Sequence, residues 1–84
     1  MEKPKPVQKA EIVAIGDEVL LGRVVDTNSA FIAAELNRLG FEVLRKSAIG
    51  DNKDEIVKAL RDALDRVDLV IFTGGLGPTN DDIT

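Results

Sequence analysis

Apolar positions along the chain fall into blocks of two periods: short β-branched runs, and longer stretches in which they recur every three or four residues. The first block is Ala10-Glu11-Ile12-Val13-Ala14-Ile15, stopped by Gly16; so short and apolar a run predicts a strand buried on both faces. Residues 29–39 follow the helical period, with Ile32, Leu36 and Leu39 at i, i+4 and i+7. Thr27 or Asn28 is expected to supply the N-cap oxygen and Gly40 the C′ residue. Phe41-Glu42-Val43-Leu44 with Ala48-Ile49 predicts a second strand ending at Gly50, and Arg45 and Lys46 within it suggest an edge. A second amphipathic helix follows, with Ile56, Leu60, Leu64 and Val67 on one face, Lys58, Arg61, Asp62 and Asp65 on the other, and Asn52 and Glu55 as a capping box. Leu69-Val70-Ile71-Phe72 is the third strand.

Strands alternating with helices, with no hairpin dipeptide between them, predict an α/β fold: βαβαβ, with a parallel sheet and right-handed crossovers. Residues 1–9, with Pro4 and Pro6 among lysines, lack periodicity and are expected to form a flexible tail before a domain over residues 10–84. One tetrapeptide occurs twice: Ala14-Ile15-Gly16-Asp17 ends the first strand and Ala48-Ile49-Gly50-Asp51 the second. In a parallel sheet the strand C-termini share an edge. Asp17, Asp51 and the glycine-rich segment after Phe72 are therefore expected on one rim, where open α/β sheets bind ligands.

Composition narrows the chemistry that rim can perform. The 84 residues include no cysteine and no histidine, which excludes disulfides, thiolate or imidazole metal sites and Ser-His triads. Carboxylates, hydroxyls, backbone amides and a few basic side chains remain, a set suited to phosphates and to Mg²⁺ or Mn²⁺. Eleven basic against 15 acidic residues, net −4, argue against a general nucleic-acid binder. No apolar run approaches the roughly 20 residues that span a bilayer, and no signal-peptide core follows Met1, so a cytoplasmic location without membrane contact is expected.

The segment Thr73-Gly74-Gly75-Leu76-Gly77-Pro78-Thr79 leads from the third strand toward another helix, its three glycines letting backbone amides approach an anion. No Lys-Ser/Thr follows the glycines, and Gly75-Leu76-Gly77 runs on to Asn80, so neither a Walker A loop nor a dinucleotide fingerprint is present. Asp81 and Asp82 adjoin this nest, and acids beside a phosphate call for a cation between them; Asp51 and Asp17 are further candidate metal ligands. Each of these acids can instead serve as a cap or as a surface charge.

These residues carry a resemblance. Through Gly16-Asp17-Glu18-Val19-Leu20-Leu21-Gly22, Asp26-Thr27-Asn28, Gly50-Asp51-Asn52 and above all Thr73-Gly74-Gly75-Leu76-Gly77-Pro78-Thr79-Asn80-Asp81-Asp82, the chain resembles the molybdopterin-binding (MoaB/MogA-like) superfamily of molybdenum-cofactor biosynthesis. It is most similar to the N-terminal domain of the competence/damage-inducible (CinA) family. The resemblance implies a three-layer α/β/α fold, a homo-oligomer (trimer or dimer), and a site at the strand C-termini for a small phosphorylated nucleotide or a pterin. It further implies divalent-metal-dependent hydrolysis of a pyrophosphate bond in an ADP-ribose-like substrate, or alternatively molybdopterin binding without turnover. Carried over by position, the loop of residues 73–79 would hold phosphate, and Asp51 and Asp82 would act in catalysis by positioning metal or water. The family's domain is about twice as long as this chain, so residues 10–84 are expected to be an incomplete, N-terminal portion, with a bare edge on the third strand that invites self-association.

Overall fold

A computed structural model describes residues 8–74. In chain order it contains β1 (Gln8–Ile15), α1 (Asp17–Leu20), α2 (Thr27–Arg38), β2 (Phe41–Ile49), α3 (Lys53–Leu64) and β3 (Leu69–Gly74). The three strands form one parallel sheet in the order β2-β1-β3.

That order fixes the layers. The chain steps from β1 to β2 on one side, then passes back over β1 to reach β3 on the other. Two right-handed crossovers in opposite directions must put their helices on opposite faces of the sheet. Side chains alternate accordingly along β1. Ala10 and Ile12 form a core cluster with Leu36 of α2, with Ile32, Ala33, Phe41, Val43, Leu69 and Ile71 packed against it. Glu11 lies on the other face and receives Arg66, just beyond α3. The result is an α/β/α sandwich with β1 at its centre, where Ala10, Glu11, Ile12, Val13 and Ala14 are all buried.

β1 starts earlier than its apolar pattern suggests, because Gln8 and Lys9 are strand residues and not part of a tail. The Lys9 N–H donates to Asp68 Oδ2 at 2.9 Å, while the Asp68 N–H donates to the Lys9 carbonyl at 2.9 Å. This two-way tie anchors polar positions that periodicity cannot detect. Helix α2 is capped by Asp26, whose side chain accepts from the Ser29 N–H at 3.0 Å, and not by Thr27 or Asn28, which are already within the helix region. The contact with Ser29 holds the Asp26 carboxyl below the usual carboxylate range. Helix α3 begins as its pattern predicts, Asn52 Oδ1 accepting from the Glu55 N–H at 3.1 Å. Its stripe is less covered than expected: Ala63 and Val67 are buried, whereas Leu60 and Leu64 stay largely exposed. No helix among the described residues is long and apolar enough to cross a membrane.

Candidate functional site

The C-terminal ends of all three strands meet on one rim, and the repeated tetrapeptide builds two thirds of it. Its two copies lie side by side in register, Ala14 against Ala48 and Ile15 against Ile49. Past the strands the turns stay joined: the Gly16 N–H donates to the Ile49 carbonyl at 3.0 Å, and the Asp51 N–H donates to Asp17 Oδ1 at 3.2 Å. Asp17 opens α1, a four-residue helix that no periodicity announced. The side chains of Asp17 and Asp51 are exposed at this rim.

On the other side of β1, Ile15 pairs with Gly74. Gly74 has φ +88°, and a Cβ there would come within 2.2 Å of the Ile15 carbonyl oxygen, so only glycine fits. At Gly74 the backbone of β3 is therefore pressed against the end of β1. Between β1 and β3 the chain also changes direction across the sheet, the switch point at which doubly wound folds bind their ligands. Thr73 and Gly74 belong to β3 itself, Thr73 in register with Ala14. The remaining candidates, Gly75, Leu76, Gly77, Pro78, Thr79, Asp81 and Asp82, lie outside the described residues.

Among the described residues no group of three or more acids converges as a cation cage. Asp17 and Asp51 are brought together, with one Asp17 oxygen engaged by a backbone amide.

A groove of ≈ 330 Å³ lies elsewhere, on the α3 face of the sheet, and touches the rim at Ile49 and Glu55. At its far end Glu11, 2% exposed, accepts a bidentate pair from Arg66 at 2.9 Å to each oxygen, with Arg45 at 3.9 Å. The carboxylate raises the Arg66 pKa above its ordinary value. Lys58 pairs with Asp62 at 2.9 Å and holds that carboxyl below the usual range. Four of the groove's basic and acidic side chains are thus engaged in two close ion pairs, Glu11–Arg66 and Lys58–Asp62. Sequence reasoning did not single out the Glu11–Arg66 pair, although one acid inside an apolar central strand was a usable signal.

The comparisons with known proteins agree with this geometry. The family model described as "Probable molybdopterin binding domain" matches residues 11–84. The CinA-like protein of Cytophaga hutchinsonii is 57% identical over 75 residues, covering 89% of this chain and 18% of that protein. The crystal structure of CinA from Thermoplasma acidophilum superposes with a TM-score of 0.81 at 44% identity, over 88% of this chain and 44% of that one. The tungsten cofactor synthesizing protein MoaB of Pyrococcus furiosus gives a TM-score of 0.78 at 29% identity, over 93% of this chain and 48% of that one. This chain thus spans about a fifth of the curated relative and under half of each solved neighbour. With a doubly wound β2-β1-β3 sheet, a glycine forced at its switch point and the family model matched over residues 11–84, the chain belongs to the molybdopterin-binding domain family, and within it is similar to CinA-like proteins.

Proposed function

We propose that the rim binds the phosphates of a nucleotide, and that the complete domain hydrolyses the pyrophosphate of an ADP-ribose-like substrate with the help of a divalent cation. The observation that carries this reading is the enforced contact between Gly74 and the end of β1, on the same edge as the exposed Asp51 side chain. A backbone held that close to the switch point can turn its next amides toward an anion, as glycine-rich turns at strand ends do.

In this reaction water adds to one phosphorus, the bond from that phosphorus to the bridging oxygen breaks, and AMP and ribose 5-phosphate leave. Asp51 orients the water or accepts its proton, with Asp82 as the second acid by the family resemblance. Amides after Gly74 bind the phosphate oxygens that gain charge in the transition state. Asp51, together with Asp81 and Asp82 from outside the described residues, would hold the cation. When bound, Mg²⁺ or a similar ion supplies charge neutralisation at the phosphate oxygens.

A second reading is favoured by the family description and by the likeness to MoaB: molybdopterin is bound at the same rim without turnover. Titration of ADP-ribose into the protein with and without Mg²⁺, beside an assay for AMP release, separates the two. The hydrolase reading expects metal-dependent binding and AMP, and a loss of turnover of about 10²-fold or more in Asp51→Ala. Binding without AMP, insensitive to Asp51→Ala, would leave the binding module. Self-association through the outer edges of β2 and β3 is a further proposal, to be read by light scattering across a concentration series.

A further inference from the structure

We infer that Asp17 is a positioning residue that latches the turn carrying Asp51, and not a metal ligand. Four observations converge on one small region. The Asp51 N–H donates to Asp17 Oδ1 across 34 residues of sequence. One residue back, the Gly16 N–H donates to the Ile49 carbonyl, so the turns after β1 and β2 are tied twice. Beyond Asp51, the Asn52 N–H closes on the Gly50 carbonyl at 2.9 Å, making Gly50-Asp51-Asn52 a tight turn with Asp51 at its apex.

The fourth observation is the space at Gly50. This glycine is buried, and its φ lies outside the left-handed region, so conformation does not require it. A Cβ would stand 3.0 Å from Asp17 Oδ1, 3.6 Å from Glu55 Oε1 and 3.7 Å from Leu20 Cδ2. Glycine here makes room for the Asp17 carboxylate to reach the next amide. The two copies of the tetrapeptide thus have complementary duties: the first supplies the acceptor, and the second supplies the glycine and the amide that receives it. Asp51 has its N–H engaged by this latch and its side chain exposed for ligand.

A latch and a ligand differ in what they need from position 17. An amide-accepting latch needs an oxygen; a cation ligand needs the negative charge as well. Asp17→Asn keeps the oxygen and removes the charge, while Asp17→Ala removes both. The test is made in the full chain with selectively ¹⁵N-aspartate-labelled protein, following hydrogen exchange of the Asp51 amide and Mg²⁺-dependent ADP-ribose binding and turnover. Asp17→Ala is expected to speed Asp51 exchange about tenfold or more, the scale of losing one hydrogen bond to a charged acceptor. Turnover should fall with it, because displacement of a catalytic group by about 1 Å costs on the order of 10²-fold. Asp17→Asn should recover most of both. Gly50→Ala, which crowds the same bond from the opposite side, should also speed exchange.

Unchanged Asp51 exchange in Asp17→Ala would overturn the latch. So would an Asp17→Asn protein that keeps slow exchange but loses Mg²⁺-dependent binding as completely as Asp17→Ala, since charge would then be what matters. The turnover arm rests on the hydrolase reading, whereas the exchange arm does not. A wild-type protein that ignores ADP-ribose sinks that reading alone, and the latch then stands or falls on Asp51 exchange in Asp17→Ala, Asp17→Asn and Gly50→Ala.

Discussion

Gly74→Ala isolates the contact on which the rim depends. Its methyl carbon would start 2.2 Å from the Ile15 carbonyl oxygen. The two backbones must then separate by more than about 1 Å to restore an ordinary van der Waals distance. Because both atoms belong to paired strands, no rotamer can absorb that movement. Two costs add: a left-handed conformation for a residue with a Cβ, roughly 1–2 kcal/mol, and overpacking, about 1–3 kcal/mol. Gly40→Ala separates them, since Gly40 also has positive φ, +97°, but nothing lies within 4 Å of its Cβ position. The expected losses are therefore about 1–2 kcal/mol for Gly40→Ala and about 2–5 kcal/mol for Gly74→Ala. Urea unfolding followed by circular dichroism reads both. With a slope near 1 kcal/mol/M, the Gly74→Ala midpoint should fall by at least about 2 M, and by clearly more than that of Gly40→Ala. Equal midpoints for the two variants would show that β1 and β3 do not meet closely at Gly74, which would leave the proposed anion site without its enforced backbone approach.

The other predictions concern polar ties that hold the layers together. Asp26→Ala should cost about 1 kcal/mol as the loss of an N-cap, with Asp26→Asn nearly neutral at pH 7. The Asp26 pKa is lowered on folding, so its stabilisation is present above the ordinary value of 3.8 and is lost as pH falls through the lower folded value; acid unfolding curves of Asp26→Asn should lack that component. Arg66→Ala leaves the Glu11 carboxylate buried without its bidentate partner, so the single variant should melt at a lower temperature than the double variant Arg66→Ala/Glu11→Leu. A double variant no more stable than the single one would mean that the carboxylate finds other solvation.

Much of this architecture was legible because it rests on local signals. The buried run 10–15, the helical period of residues 56–64 and the Asn52 cap each correspond to one energetic choice made within a dozen residues, and all three appear as read. The shared rim followed from the same logic, since parallel strands place their ends together whatever their order. The α2 cap was less determined: Asp26, Thr27 and Asn28 are three consecutive good capping residues, and which one stays outside the helix depends on how the chain arrives from α1. The start of β1 escaped because its anchor, Asp68, is 59 residues away. Asp17 was legible as a rim acid and a candidate metal ligand but not as an amide acceptor, since its link to the Asp51 amide exists only once β1 and β2 are in register.

The strand order also has a temporal side. Of the three described strands the central one is made first, yet its second neighbour is made third, and 59 residues separate the ends of the Lys9–Asp68 tie. At roughly 5–20 residues per second on the ribosome, β1 waits several seconds before β3 can cover it. Until then the apolar run that becomes the middle of the sheet has one open edge, and the nascent chain is most exposed to misassembly during that interval. The turns after β1 and β2 can be tied to each other before β3 exists, whereas the close approach at Gly74 forms only when β3 docks.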